Sequence, residues 1–164
     1  IAGDDFVDDC VIESVLEMYF PQTYVPGDSE RMLLYRELDR LESDEEVEAY
    51  RKRMIDRFGP VPHEADELMH VGGLRSVGKK LGCEKIILKQ GYMQMQFVSN
   101  VNSPFYRSQM FNRILAYVTS HIQDCVLKEK FNKRMLRIND VKTVGQAVNL
   151  LNQISQIDLG NEKK

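Results

Sequence analysis

The hydrophobic positions change their spacing once along this chain, close to Gly82. Before it, apolar residues recur every three or four positions, the period of a helix with one buried face. Leu34, Leu38 and Leu41 carry that period after Asp28 and Ser29, either of which suits an N-cap, so a first helix is predicted to start there. Ser43 to Glu46 reads Ser-Asp-Glu-Glu, the form of a capping box. Val47, Tyr50, Met54 and Phe58 then line one face, until Gly59, Pro60 and Pro62 stop the second helix. So short a connection predicts a helical hairpin. A third helix is predicted from about Pro62 to Leu81, with Ala65, Leu68, Met69 and Leu74 on its apolar face and Gly82 as its C-terminal cap. Upstream, residues 1–10 are acidic (Asp4, Asp5, Asp8 and Asp9) and read as the end of a linker. Val11 to Phe20 fits a first strand bounded by Pro21, and Pro26-Gly27 a turn.

After Gly82 the period becomes two. Lys85 to Lys89 and Tyr92 to Val98 are predicted strands joined at Gln90-Gly91, with Met93, Met95 and Phe97 alternating against Tyr92, Gln94 and Gln96. Ser103-Pro104 opens a helix whose core face is Phe111, Ile114, Leu115 and Val118. Cys125 to Lys130 and Arg134 to Ile138 form a second hairpin. Thr143 caps a last helix carrying Val144, Ala147, Val148, Leu151 and Ile154, and Gly160 to Lys164 is a frayed tail. The predicted class is α+β: a helical front half, then a ββαββα unit with a small, mostly antiparallel sheet. The organisation expected is a linker end and first strand over 1–20, one domain over 21–159 and a tail over 160–164.

Composition narrows the function. The chain has 164 residues, enough for one real core, with 43% hydrophobic and 29% charged residues, as in ordinary globular domains. The net charge of -3 runs against a dedicated nucleic-acid binder, whose affinity rests largely on a basic excess. Cys10, Cys83 and Cys125 are too far apart and too few for a disulfide framework or zinc site, and read as buried thiols in a reducing, cytosolic compartment. No apolar run approaches the roughly 18 residues of a membrane span. The chain starts with Ile1, so it is expected to be part of something longer.

Motifs for chemistry are scarce. Gly73 to Lys79 has the G-x-x-x-x-G-K spacing of a phosphate loop, but Lys80 stands where a magnesium-binding Ser or Thr belongs, and the segment lies within a helical pattern. Its small residues are expected instead to let another element approach closely. His63, His70 and His121 lack ligand spacing, and an enzyme centred on His63 and Glu64 would require a deep polar pocket there. No serine lies in a nucleophile elbow. The carboxylates run along helices at solvated positions. No catalytic residue, metal ligand or cofactor site is therefore assigned. Lys128, Lys130, Lys133, Arg134 and Arg137 cluster on the second hairpin. They fit a charge-protected strand edge; a small nucleic-acid-binding module is the alternative reading, with only Phe131 available to stack on bases.

The second helix is more informative. At ~100° per residue, Asp56 falls nearly opposite the Val47, Tyr50, Met54 and Phe58 stripe, exposed together with Glu45, Ala49, Lys52 and Arg53. Arg31 falls beside Leu34 and Leu38, so it is expected to find a carboxylate inside the domain or across an interface. Asp56, Lys52, Arg53 and Arg31 are the candidate partner-binding residues.

Pro21-Gln-Thr-Tyr24-Val-Pro26, Arg31-Met-Leu-Leu-Tyr35-Arg36, Ile55-Asp56-Arg57-Phe58-Gly59-Pro60-Val61-Pro62 and Leu81-Gly82-Cys83-Glu84-Lys85-Ile86 follow a specific order. In that order the sequence resembles the C-terminal domain of the bacterial transcription-repair coupling factors. The resemblance extends from about Pro21 to Ile86; beyond it only the rhythm of strands and helices matches. It implies a parent that is an ATP- and magnesium-dependent DNA translocase, which displaces stalled RNA polymerase and recruits excision repair through UvrA. Its motor motifs lie outside this segment. It implies for this chain a non-catalytic regulatory clamp on the UvrB-like module near the parent's N-terminus, hiding the UvrA-binding surface, with no direct DNA binding. The clamp surface in the family is similar to the end of the second helix here, which makes Asp56 the first contact. Arg53 departs from the family, where that position is often acidic.

Overall fold

In the computed structural model, which describes residues 6–160, the change of period at Gly82 marks a change of architecture. The chain forms two compact units: residues 17–73, and the residues up to 16 together with those from 74 onward. The expected linker residues 1–5 and tail residues 161–164 lie outside the described residues.

The first unit is helical. It holds α1 (Asp28–Asp39), α2 (Asp44–Phe58) and α3 (His63–Met69). The capping box forms as read: the Ser43 hydroxyl accepts from the Glu46 N–H at 3.1 Å, and Glu46 Oε1 accepts from the Ser43 N–H at 3.1 Å. The start of α1 differs from expectation. Its N-cap is Gly27 and no side chain caps it, because Asp28 turns its carboxylate to Arg31 instead. The core gathers Phe20, Val25, Leu34, Tyr50, Met54, Ala65 and Met69. Three phenols tie it to the backbone. Tyr50 donates to the Leu34 carbonyl at 2.9 Å and Tyr24 to that of Gly59 at 2.8 Å, while the Tyr35 oxygen accepts from the Phe20 N–H at 2.9 Å.

The third predicted helix is two. α3 ends at His70, whose N–H bonds back three residues to Glu67, and α4 (Val71–Lys80) begins directly after it. Gly72 and Gly73 follow the break, so intrinsic propensity does nothing to carry one helix through. Glu67 is an exception to the solvated carboxylates: it is buried in α3.

The second unit is a five-stranded mixed sheet with helices on one face. Its strands are β1 (Val11–Ser14), β2 (Cys83–Lys89), β3 (Tyr92–Phe97), β4 (Cys125–Lys130) and β5 (Lys133–Asn139), in the order β1-β2-β3-β5-β4. β1 pairs with β2 in parallel and the remaining pairs are antiparallel. β1 is shorter than the predicted Val11 to Phe20 run, because the Ser14 hydroxyl accepts from the Leu16 N–H at 2.9 Å and turns the chain away. Part of the expected linker end is packed: the Phe6 ring lies 5.4 Å from that of Phe105 and Cys10 is fully buried, while Asp8 and Asp9 are exposed.

Ile86, Leu88, Met93, Met95, Leu136 and Ile138 form the buried side of the sheet, under α4, α5 (Gln109–Ser120) and α6 (Val144–Ser155). Ser103-Pro104 starts only a 3-10 turn over Pro104–Arg107. Ser108 then takes extended φ/ψ, its hydroxyl accepting from the Phe111 N–H at 3.1 Å, and caps α5 afresh. Of the expected core face of α5 only Ile114 is fully buried; Phe111, Leu115 and Val118 are half-buried.

Two glycines are required by their surroundings. Gly82 has φ +72°, and a Cβ there would strike the Phe105 ring. A Cβ on Gly78 would lie 2.8 Å from Cys10 Sγ and 2.9 Å from Ile86 Cδ1. The phosphate-loop spacing is thus a close-packed helix surface, as read.

Candidate functional site

The candidate residues sit on the α1–α2 hairpin, whose two helices are braced by charge as well as by the core. Arg53 pairs with Glu37, and Arg57 with Glu30, each α2 arginine crossing to an α1 carboxylate. Their spacings suit this, since Arg53 and Arg57 are one turn apart and Glu30 and Glu37 two. Arg51, half-buried, ties α2 to α3 through Asp66 and also meets Glu48 at 3.3 Å. His70 Nε2 lies 3.5 Å from the same Asp66. Exposed rungs of this kind stabilise by only about 0–1 kcal/mol each. Their larger effect is to hold the long arginines in one place.

On this braced surface Asp56 is exposed and makes no ion pair among the described residues, not even with Lys52 one turn earlier. Lys52 is likewise exposed. Glu45, Ala49 and Arg53 complete the solvent face, as the helical phase predicts. Arg53 is already occupied: besides Glu37, its guanidinium lies 5.6 Å from the Tyr50 ring centroid. Burial pushes the Tyr50 phenol well above its ordinary pKa, and the Glu37 carboxylate adds to that.

Arg31 does not join this surface. Its guanidinium donates to the Val25 carbonyl at 2.8 Å and the Pro26 carbonyl at 3.1 Å, and pairs with Asp28. The carboxylate expected beside it is therefore inside the domain, and Arg31 locks the turn that leads into α1. The physical reason is reach: a residue one turn into a helix can fold back on the carbonyls that precede it.

The apolar part of the surface escaped the sequence reading. Met32 and Leu33 on α1 are 53% and 62% exposed, and Ile55, beside Asp56, is 43% exposed. Leu33 lies three residues after Glu30 and four before Glu37, so it stands between the two ionic rungs. The signal was available in the phase, because Met32 and Leu33 lie off the stripe of Leu34 and Leu38. The arrangement presents one aliphatic side chain framed by charge, with a free carboxylate and a free ammonium beyond it. Such a face suits docking rather than bond chemistry.

Elsewhere, the histidines take local roles. His63 is exposed, and His121 stacks on Tyr117 with 4.0 Å between ring centroids while its Nδ1 lies 2.9 Å from the Tyr117 carbonyl. Among the described residues no group of three His, Cys, Asp or Glu side chains could hold a metal ion, and no helix is long and apolar enough to cross a membrane. All three cysteines are buried, free thiols; burial pushes Cys10 up to about 12 and raises Cys83 and Cys125 too.

A family model described as the TRCF domain matches residues 15–108. A transcription-repair-coupling factor of Rickettsia conorii is 26% identical over 144 residues, covering 87% of this chain and 12% of the relative. One of Borreliella burgdorferi is 20% identical over 115 residues, covering 70% of this chain and 10% of its own length. One of Escherichia coli is 28% identical over 75 residues, covering 46% and 6%. The chain thus spans about a tenth or less of the length of these relatives. A crystal structure of the C-terminal domain of a transcription-repair coupling factor superposes with a TM-score of 0.70 at 17% identity, covering 90% of this chain and 94% of that one, so the two share a fold.

Proposed function

Because this chain belongs to the TRCF domain family, we propose that it is the non-catalytic, regulatory C-terminal domain of a transcription-repair coupling factor and works by docking on another module of its parent. The parent would be an ATP-driven DNA translocase that displaces stalled RNA polymerase and recruits excision repair. The docking target is the parent's UvrB-like module, and the consequence is that the UvrA-binding surface stays masked until the motor engages. A modest, releasable interface serves such a switch, since competing contacts of a few kcal/mol must be able to open it.

The observation that carries this reading is Asp56: an exposed, unpaired carboxylate on a helix whose neighbouring arginines are both held by α1. The free charge gives orientation, and the exposed aliphatic side chains of Leu33 and Ile55 give buried area. Lys52 and Arg53 flank the contact.

The test is a calorimetric titration of this domain into the separately expressed UvrB-like module, with the native chain and with Asp56→Arg. Saturable binding weakened about tenfold or more by the reversal is the expected result. Binding untouched by Asp56→Arg removes the α1–α2 hairpin from the interface. No binding up to about a millimolar, and none when the two are joined by a flexible linker, refutes the docking itself.

A further inference from the structure

We propose that the free edge of β4 and the groove under α5 form a second docking site, which captures an extended peptide strand with apolar residues facing the groove and acidic residues facing the opposite side. β4 ends the sheet order, so among the described residues one of its edges has no partner strand. Its pairing with β5 fixes which backbone groups are free. The Asn139 N–H donates to the Asp124 carbonyl at 2.8 Å, so Asp124 and the alternate residues Val126, Lys128 and Lys130 turn their backbone groups toward β5. Cys125, Leu127 and Glu129 turn theirs outward. The Phe131-Asn132 turn closes the hairpin with φ of 52° and 64°, the two-residue form that keeps this register.

Natural sheets disable such edges with proline, bulges, short strands or cover. β4 has no proline, runs six residues, and pairs with β5 without a break in register. Its protection is charge alone, and that charge is mostly of one sign. Cys125 to Asn139 holds Lys128, Lys130, Lys133, Arg134 and Arg137 against Glu129, which is tied to Arg134 at 3.5 Å. A second copy of this edge would be repelled, whereas an acidic strand would be drawn in.

The side chains agree with the backbone. Residues that point their backbone outward share the helix-side face with Leu127, which is 44% exposed and opens into a groove of about 380 Å³ lined by Phe111, Leu115 and Leu127. Glu129 and Arg134 rim it, and Arg134 is held with its guanidinium 4.3 Å from the Tyr106 ring centroid. An added strand therefore meets an apolar groove on one face, and Lys128 and Lys130 on the other. This is strand addition at a sheet edge, in which main-chain bonds supply affinity and alternate pockets supply specificity.

The site lies in the sheet unit and does not depend on the α1–α2 hairpin, so either can fail alone. The probe is a fluorescein-labelled nine-residue peptide of alternating valine and aspartate, read by anisotropy. Saturable binding is expected, abolished by N-methylation of one alternating set of residues and nearly unchanged by N-methylation of the other. Lys128→Glu with Lys130→Glu should weaken it about tenfold. Amide exchange gives a readout without substitution: the Leu127 and Glu129 amides should be unprotected in the free protein and gain protection with peptide, while those of Val126 and Lys128 are protected throughout. Equal loss with both methylated sets, no binding up to about a millimolar, or displacement of the peptide by a single-stranded oligonucleotide at lower concentration would overturn the proposal.

Discussion

Replacing Gly78 with alanine sets two effects against each other, and the structure says which wins. In a helix interior alanine is favoured over glycine by about 1 kcal/mol, and one more buried methyl contributes about 0.8 kcal/mol. Both predict a more stable protein. Against them, the new Cβ would lie 2.8 Å from Cys10 Sγ and 2.9 Å from Ile86 Cδ1, closer than such atoms settle. Both neighbours are fully buried, so any shift of Cys10 Sγ or Ile86 Cδ1 away from the new methyl must displace other packed atoms. Overpacking of this kind costs up to about 3 kcal/mol, which exceeds the two gains together, so Gly78→Ala should destabilise by about 1 kcal/mol. The assay is urea unfolding followed by circular dichroism. A double-mutant cycle isolates the cause. Cys10→Ala removes the sulfur and leaves Cys10 Cβ at an ordinary 3.6 Å, so the double variant should recover roughly 1 kcal/mol relative to the sum of the singles. A higher urea midpoint for Gly78→Ala, or strict additivity with Cys10→Ala, would refute the reasoning.

Two further outcomes follow from the helical unit. The raised Tyr50 phenol means that the unfolded chain releases this proton first, so stability should hold below the ordinary phenol value of 10 and fall as the pH rises past it; Tyr50→Phe should flatten that fall in alkaline unfolding curves, while lowering neutral-pH stability by about 1–2 kcal/mol through the unpaired Leu34 carbonyl. Ser43→Ala removes one half of the capping box and should cost about 1 kcal/mol of unfolding free energy, whereas a change below a few tenths would mean that the Ser43 hydroxyl adds nothing to the start of α2.

What could be read from sequence were the features whose causes are local. The Ser43 box, the Thr143 cap, the two hairpins and the exposed phase of α2 each depend on residues within a few positions, and each stands where it was expected. The break at His70 was missed because apolar residues resume at Leu74 and the weak helix propensity of Gly72-Gly73 does not by itself place a break. Arg31 was seen to need a carboxylate, but whether that lay inside the domain depended on how the Val25-Pro26 turn folds back. The groove beside β4 was beyond reach for another reason. Phe111 and Leu115 follow a core period, and nothing in the sequence says that the sheet ends at β4 and leaves them half-covered.

The helical unit interrupts the sheet unit in sequence, and this sets an order of assembly. Val11 must find Lys85, roughly seventy residues away, before the parallel edge of the sheet can form. Closing so long a loop is entropically costly unless the intervening chain is already compact, and residues 17–73 make a core of their own. As the chain leaves the ribosome, those helices emerge complete while β1 still waits for its neighbour. A compact insertion thereby shortens the effective loop that β1 has to close once β2 has emerged.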